Sequence, residues 1–229
     1  MRIFAIKTVP TVGWSSSHPH NIRPNPTTLF WLALGLFLFG AGETLLIAAC
    51  IGVSPWTVLA QGIAVSFNIG IGAATFVVSL AVLLLWLPLR QCPGIGTVCN
   101  VLIISATIGF LLPYVPAPES YWARILEVGL GTLIVGLGSG IYLVANLGAG
   151  PRDGLMTGLQ SLTKFPIAWV RASIEITTIL CGWMLGGTVG IGTVMFAIGI
   201  GPAVSASLYL TAYCTGAPVR SKTAATNRE

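Results

Sequence analysis

Six runs of almost unbroken apolar residues, at 28–53, 71–89, 97–115, 125–147, 167–185 and 191–213, constrain this chain more than any other feature. A bilayer core of about 30 Å is crossed by roughly 20 apolar residues in a helix, and each run is near that length or longer. At that depth every backbone N–H and C=O has to be paired within the chain, which leaves helices or a closed barrel. The alternating ten-residue pattern of a barrel is absent. Charge agrees: only 7% of the 229 residues are charged and 55% are hydrophobic, whereas soluble chains carry about 25% charged residues. A soluble domain, a disordered chain and a disulfide-stapled secreted module are excluded. The expected fold is all-α, a polytopic transmembrane helix bundle.

The 11 Lys/Arg and 6 Asp/Glu are scattered, with no interleaved aromatics of the kind a nucleic-acid surface needs. Their placement sets orientation instead. With the N-terminus inside and six helices alternating, the inner segments hold Arg2, Lys7, Arg23, Arg90, Arg152, Lys164, Arg220, Lys222 and Arg228, and Arg171 lies one turn into the fifth helix from that side. The outer segments hold only Arg124. By the positive-inside rule, this predicts a multi-pass protein of the cell membrane with both tails, 1–27 and 214–229, cytoplasmic. No apolar signal-peptide core precedes residue 28, so the N-terminal tail is expected to stay uncleaved. The stretch from Thr215 to Glu229 is polar and expected to be disordered.

Two helical segments, Pro55–Phe67 and Pro151–Phe165, are too short to cross. At 1.5 Å per residue they reach roughly 20–23 Å. If both crossed, Arg90 and Arg152 would face outward and the charge bias would collapse, so re-entrant or half-helices are expected.

The chain also repeats. Shifted by 96 residues it aligns with itself without a gap, with 17 identities between positions 34–98 and 130–194, seven of them glycine. Gly52 meets Gly148, Pro55 meets Pro151, and Gly94-Ile-Gly-Thr-Val98 meets Gly190-Ile-Gly-Thr-Val194. The two membrane units, 28–115 and 116–213, each read as helix, half-helix, helix, helix. Three crossings is an odd number, so the second unit is expected upside down relative to the first. Short Gly/Pro-marked segments at matching places in inverted repeats point to a transporter-like site at the repeat interface.

Ser54-Pro55 and Gly150-Pro151 read as N-cap followed by N1. The first N–H groups of each half-helix lack intrahelical partners and carry partial positive charge. Two such ends near the midplane suit a carboxylate or phosphate; alternatively they only pack the bundle centre. Arg152 is a permanent cation that can grip an oxyanion with two N–H groups. Asp153 pairs with it or carries a coupling proton, and the plainer reading of both is a cytoplasmic ion pair that anchors topology. Arg171 and Glu175 are four apart and share a helix face. Charges in membranes normally face the bundle interior, so Glu175 either contacts substrate or protons, or is neutralised by Arg171. Glu43 is isolated in the first helix, and its repeat mate is Ser139.

Gly136/Gly140, Gly150/Gly154/Gly158 and Gly182/Gly186/Gly190 are spacings that bring membrane helices close. Cys50, Cys92, Cys99, Cys181 and Cys214 form no CxxC and read as small apolar residues. No catalytic set is present, so the chain is not expected to be an enzyme, and no cofactor or metal is called for.

The stretches Leu147-Gly-Ala-Gly-Pro-Arg-Asp-Gly-Leu-Met156, Arg171 with Glu175, and Gly182-Trp-Met-Leu-Gly-Gly-Thr-Val-Gly-Ile-Gly-Thr193 resemble the second half of the bacterial YczE/YitT-like integral membrane proteins. Gly52-x-Ser-Pro-Trp56, Gln61-Gly62, and Pro88-Leu-Arg90 through Pro93-Gly-Ile-Gly-Thr97 are similar to the first half. The resemblance covers most of residues 30–205. It implies a multi-pass cell-membrane protein and little chemistry. Where that family often carries Asp and His, this chain has Thr57 and Ala60, which leaves Asp153 as the one acid at the paired sites.

The expected function is a permease or exporter with Ser54, Arg152, Asp153, Arg171 and Glu175 at its site; the alternative is a non-transporting scaffold or assembly factor. Expected partners are the bilayer and a small anionic or zwitterionic solute, not nucleic acid. A homo-oligomer is compatible with the sequence.

Overall fold

The computed structural model describes residues 9–216. The first eight residues and the tail beyond Gly216, including the expected disorder there, lie outside them. Among the described residues the regular structure is entirely helical: α1 Pro26–Ala48, α2 Pro55–Phe67, α3 Ile71–Trp86, α4 Ile95–Leu111, α5 Tyr121–Ala145, α6 Pro151–Thr163, α7 Ile167–Met184 and α8 Ile191–Cys214, with a 3-10 turn at Leu112–Tyr114. Proline at N1 opens α1, α2 and α6, where its missing N–H costs nothing. Asn68, Asn146 and Lys164 close α2, α5 and α6 in the left-handed conformation.

Five helices (α1, α4 with its 3-10 turn, α5, α7 and α8) are each long and apolar enough to cross a membrane. The sixth expected span, 71–89, is shorter than the sequence suggests. It ends at Trp86, ahead of a turn through Pro88 in which Arg90 has φ 51°. Its 16 residues reach roughly 24 Å, so α3 counts as a crossing only together with α2, to which it is joined through a 115° bend.

At the centre α1 and α5 lie antiparallel. Gly35 meets the Gly138 carbonyl and the Tyr142 backbone, and Gly42 meets Gly131 and Val135. Lipid is as apolar as leucine, so close backbone approach at small residues, not exclusion of water, holds such helices together. Leu32, Leu36, Leu46 and Val128 fill the rest of this core. Helix α4 packs on α1, α8 on α5, α2 on α7 and α3 on α6. Phe110, Leu126 and Trp183 are exposed on the outside, as a surface bathed in hydrocarbon requires.

Local breaks recur at the 96-residue offset. Positive φ angles occur at Cys50 and Asn146, Gly52 and Gly148, Asn68 and Lys164, Arg90 and Gly186. Contacts recur in exchanged form: Gly96 N–H donates to the Leu147 carbonyl and Gly192 N–H to the Ile51 carbonyl, both at 2.8 Å. The half-helices run to opposite ends. Near its C-terminus α2 meets Leu185 and Thr188, while Gly158 of α6 meets Leu89 and Gln91.

The N-terminal segment is not a free tail where it is described. Beyond Asn146 the last carbonyls of α5 have no intrahelical donor. Ser15 Oγ donates to the Val144 carbonyl at 2.6 Å and Ser16 N–H to the Ala145 carbonyl at 3.0 Å. The segment thus caps α5 at the end of the bundle that holds Cys92 and Gly94.

Candidate functional site

The half-helices α2 and α6 start close together in the bundle interior. Trp56 and Arg152, both at the second helical position and 96 residues apart in sequence, touch: the guanidinium carbon lies 5.4 Å from the Trp56 ring centre and 6.0 Å from that of Phe39 on α1. The same two helix starts border a cavity of about 450 Å³. All five residues singled out from sequence, Ser54, Arg152, Asp153, Arg171 and Glu175, line it, together with Phe39, Trp56, Asn100 and Tyr142.

The expected pairing of Arg152 with Asp153 does not occur. Asp153 Oδ2 accepts a 2.7 Å hydrogen bond from the Tyr142 hydroxyl, and the one ion pair among the described residues is Arg171–Glu175 at 2.8 Å. Arg152 is therefore half-buried between two aromatic rings, with no carboxylate within 4.0 Å. A guanidinium over aromatic rings at this range is a favourable arrangement worth about 0.5–2 kcal/mol. Its N–H edges are left for whatever occupies the cavity. Arg171 and Glu175 stand at the cavity margin with side chains 53% and 30% exposed and neutralise each other, as one of the two sequence readings has it.

Ser54 does not cap α2. Its hydroxyl lies 2.9 Å from Glu43 Oε1, and the Thr57 hydroxyl donates to Glu43 Oε2 at 2.7 Å. Glu43, fully buried on α1, thus ties the first turn of α2 to the central helix pair. Thr57 carries a second-order role invisible from its position alone: the hydroxyl replaces part of the water Glu43 has lost. Thr57→Val, nearly isosteric, is expected to destabilise the protein by about 1–3 kcal/mol, the usual cost of an unmet buried acceptor. Thermal unfolding of the purified protein in detergent checks it; an unchanged midpoint would show that the bond contributes nothing.

The cavity wall is incomplete. Helices α3 and α4 close on each other through Gly72 against Gly109 and Ser105. Their repeat mates on α7 and α8 are Ala168, Ser205 and Gly201, and α7 scarcely touches α8. Arg171 and Gly201 stand exposed beside this gap.

A family of unknown function, DUF6198, matches residues 26–208. This chain belongs to that family. Among relatives of this DUF6198 member, an uncharacterized protein of Haemophilus influenzae is 37% identical over 207 residues, covering 90% of this chain and 94% of the other. The uncharacterized membrane protein YczE of Bacillus subtilis is 33% identical over 172 residues, covering 75% and 80%. Its YyaS protein is 24% identical over 177 residues, covering 72% and 84%. No solved structure matches. The YczE likeness read from the motifs is borne out, and the DUF6198 chain is a multi-pass membrane protein in contact with lipid.

Four participants at the DUF6198 cavity escape sequence reading: Phe39, Trp56, Asn100 and Tyr142. Each sits in an apolar helix and gains meaning only through the residue facing it. Tyr142 is the exception that had a signal, as the one hydroxyl-bearing aromatic in the second half of α5.

Proposed function

We propose that this protein is a permease or exporter for a small solute with an oxyanion group, anionic or zwitterionic, and that it does no chemistry on that solute. The observation that carries the reading is Arg152: a permanent cation inside an apolar bundle, stacked on aromatics, with its donors turned to a cavity and not to a protein carboxylate. Charges at membrane depth are costly and are kept for function. A partnerless guanidinium there suits a carboxylate or phosphate gripped by two N–H groups.

The two units work as inverted repeats. Antiparallel α1 and α5, exchanged contacts and half-helices running to opposite ends support this reading, as does the meeting of repeat mates Trp56 and Arg152 beside the cavity. Alternating access follows from the asymmetry between the halves: the α3–α4 seam is shut and the α7–α8 seam is parted, and rocking exchanges the two states. The parted seam belongs to the arginine-rich end, which is the cytoplasmic face, so both termini are cytoplasmic in the cell membrane.

Inversion predicts that Asn68 and Lys164, which close α2 and α6, reach opposite faces of the membrane. Asn68→Cys and Lys164→Cys, placed singly in a chain whose five native cysteines are replaced, are expected to react with an impermeant maleimide from opposite sides of right-side-out and inverted vesicles. Labelling of both from one side would refute the inverted arrangement. Transport itself is tested by counterflow of labelled carboxylates, amino acids and organophosphates into proteoliposomes. A panel with no flux above empty liposomes favours a scaffold role.

A further inference from the structure

We propose that the solute is a free single-chain amphiphile, with its oxyanion head at Arg152 and its alkyl chain in an apolar groove that opens between α3 and α7. This deepens the reading above and rests on the Arg152 cavity being the substrate site.

The groove has a volume of about 390 Å³ and is walled by Leu59, Val78, Val82, Leu155, Ile174 and Thr178. Trp56 and Ile174 belong to its wall and to that of the polar cavity alike. One ring therefore serves both compartments: Trp56 stacks on the Arg152 guanidinium and also lines the groove. Three α7 residues with hydroxyls line it, Ser173, Thr177 and Thr178, and two of them are engaged within their own helix. Thr177 and Thr178 donate to the carbonyls of Ser173 and Glu175 in their own helix, at 2.8 and 2.9 Å. Water in such a space would lack the two or more polar partners it needs.

Position fits a lateral entrance from the bilayer. Helices α3 and α7 scarcely touch, and the groove runs between them along the segment from Val78 to Leu85. At 1.5 Å per residue that is about 10 Å, the reach of a medium-length alkyl chain. Its walls are themselves repeat mates: Leu59 with Leu155, Val78 with Ile174, and Val82 with Thr178. Trp56, which borders the groove as well, is the repeat mate of Arg152 and meets its guanidinium. A chain lying in it points its head at the guanidinium. A wholly hydrophilic solute would leave this compartment unused.

The test measures binding of labelled decanoate and labelled acetate to the protein in nanodiscs, with partition into empty nanodiscs subtracted. Wild type is expected to bind decanoate at least tenfold more tightly than acetate. Ala81→Phe with Thr177→Phe fills the groove from two exposed positions that the fold does not depend on. This variant is expected to lose decanoate binding at least tenfold and to keep acetate within twofold. Arg152→Ala is expected to lose both anions. If the filled groove binds decanoate as wild type does, or if acetate binds as well as decanoate, the chain site is overturned while the Arg152 site stands. Decanoate binding that survives Arg152→Ala overturns the head site and with it the transport reading.

Discussion

Arg152→Ala is expected to abolish solute flux in proteoliposomes while the protein still inserts, elutes as a single species and keeps its helicity. Truncating one partner of a buried, hydrogen-bonded charge pair costs about 2–5 kcal/mol, roughly thirtyfold to several thousandfold in affinity. The fold should survive because the guanidinium makes no ion pair within the protein. What it gives the structure is stacking on Trp56 and Phe39, and a cavity of about 450 Å³ already lies beside it to admit water. Arg152→Lys separates charge from shape. It keeps a cation but loses both the two-pronged grip and the planar face, so flux should fall to an intermediate level. A lysine variant as active as wild type would mean that charge alone is read. An alanine variant with normal flux would move the substrate site elsewhere.

The all-helical membrane fold and the shortness of α2 and α6 were legible because bilayer thickness and backbone pairing leave few ways to arrange long apolar runs. The site was legible in part, and for a specific reason. Ser54, Arg152 and Asp153 flank Pro55 and Pro151, and proline at N1 marks a helix start wherever it falls. The structure brings these two starts to the border of one cavity. Partners were harder to read. That Asp153 would accept from Tyr142 and leave Arg152 unpaired, or that Glu43 would draw the Ser54 hydroxyl off its helix end, depends on which faces of α1 and α5 turn inward. Helices apolar all round carry almost no periodic signal to say so. α3 is shorter than its apolar run on similar grounds: Leu87, Pro88 and Leu89 are as apolar as a span, but the chain turns there, and composition does not register the turn.

The second large effect is expected at Gly154, where the two units solve one packing problem in opposite ways. Val58 and Gly154 are repeat mates, as are Gly182 and Trp86. In one contact the Val58–Leu59 backbone lies against Gly182; in the other Gly154 lies against the Trp86 indole, which occupies the space a side chain at 154 would need. Trp86 cannot easily move aside, because it is 3% exposed and its Nε1–H donates to the Pro151 carbonyl at 2.9 Å. Gly154→Val should therefore overpack by about 1–3 kcal/mol or more and yield little monodisperse protein. Trp86→Ala should cost about 3–5 kcal/mol through the cavity it leaves. Because both changes act on one space, the double variant is expected to be less destabilised than their sum, with a coupling of about 0.5–3 kcal/mol in its favour. Melting temperatures of the four proteins in detergent measure this. Strict additivity would show that the valine and the indole do not compete. Since Trp86 also holds the first residue of α6, and Arg152 is the next, Trp86→Phe should weaken solute binding more than it lowers the melting temperature: the hydrogen bond that fixes the helix start is lost, while most of the ring's packing is kept.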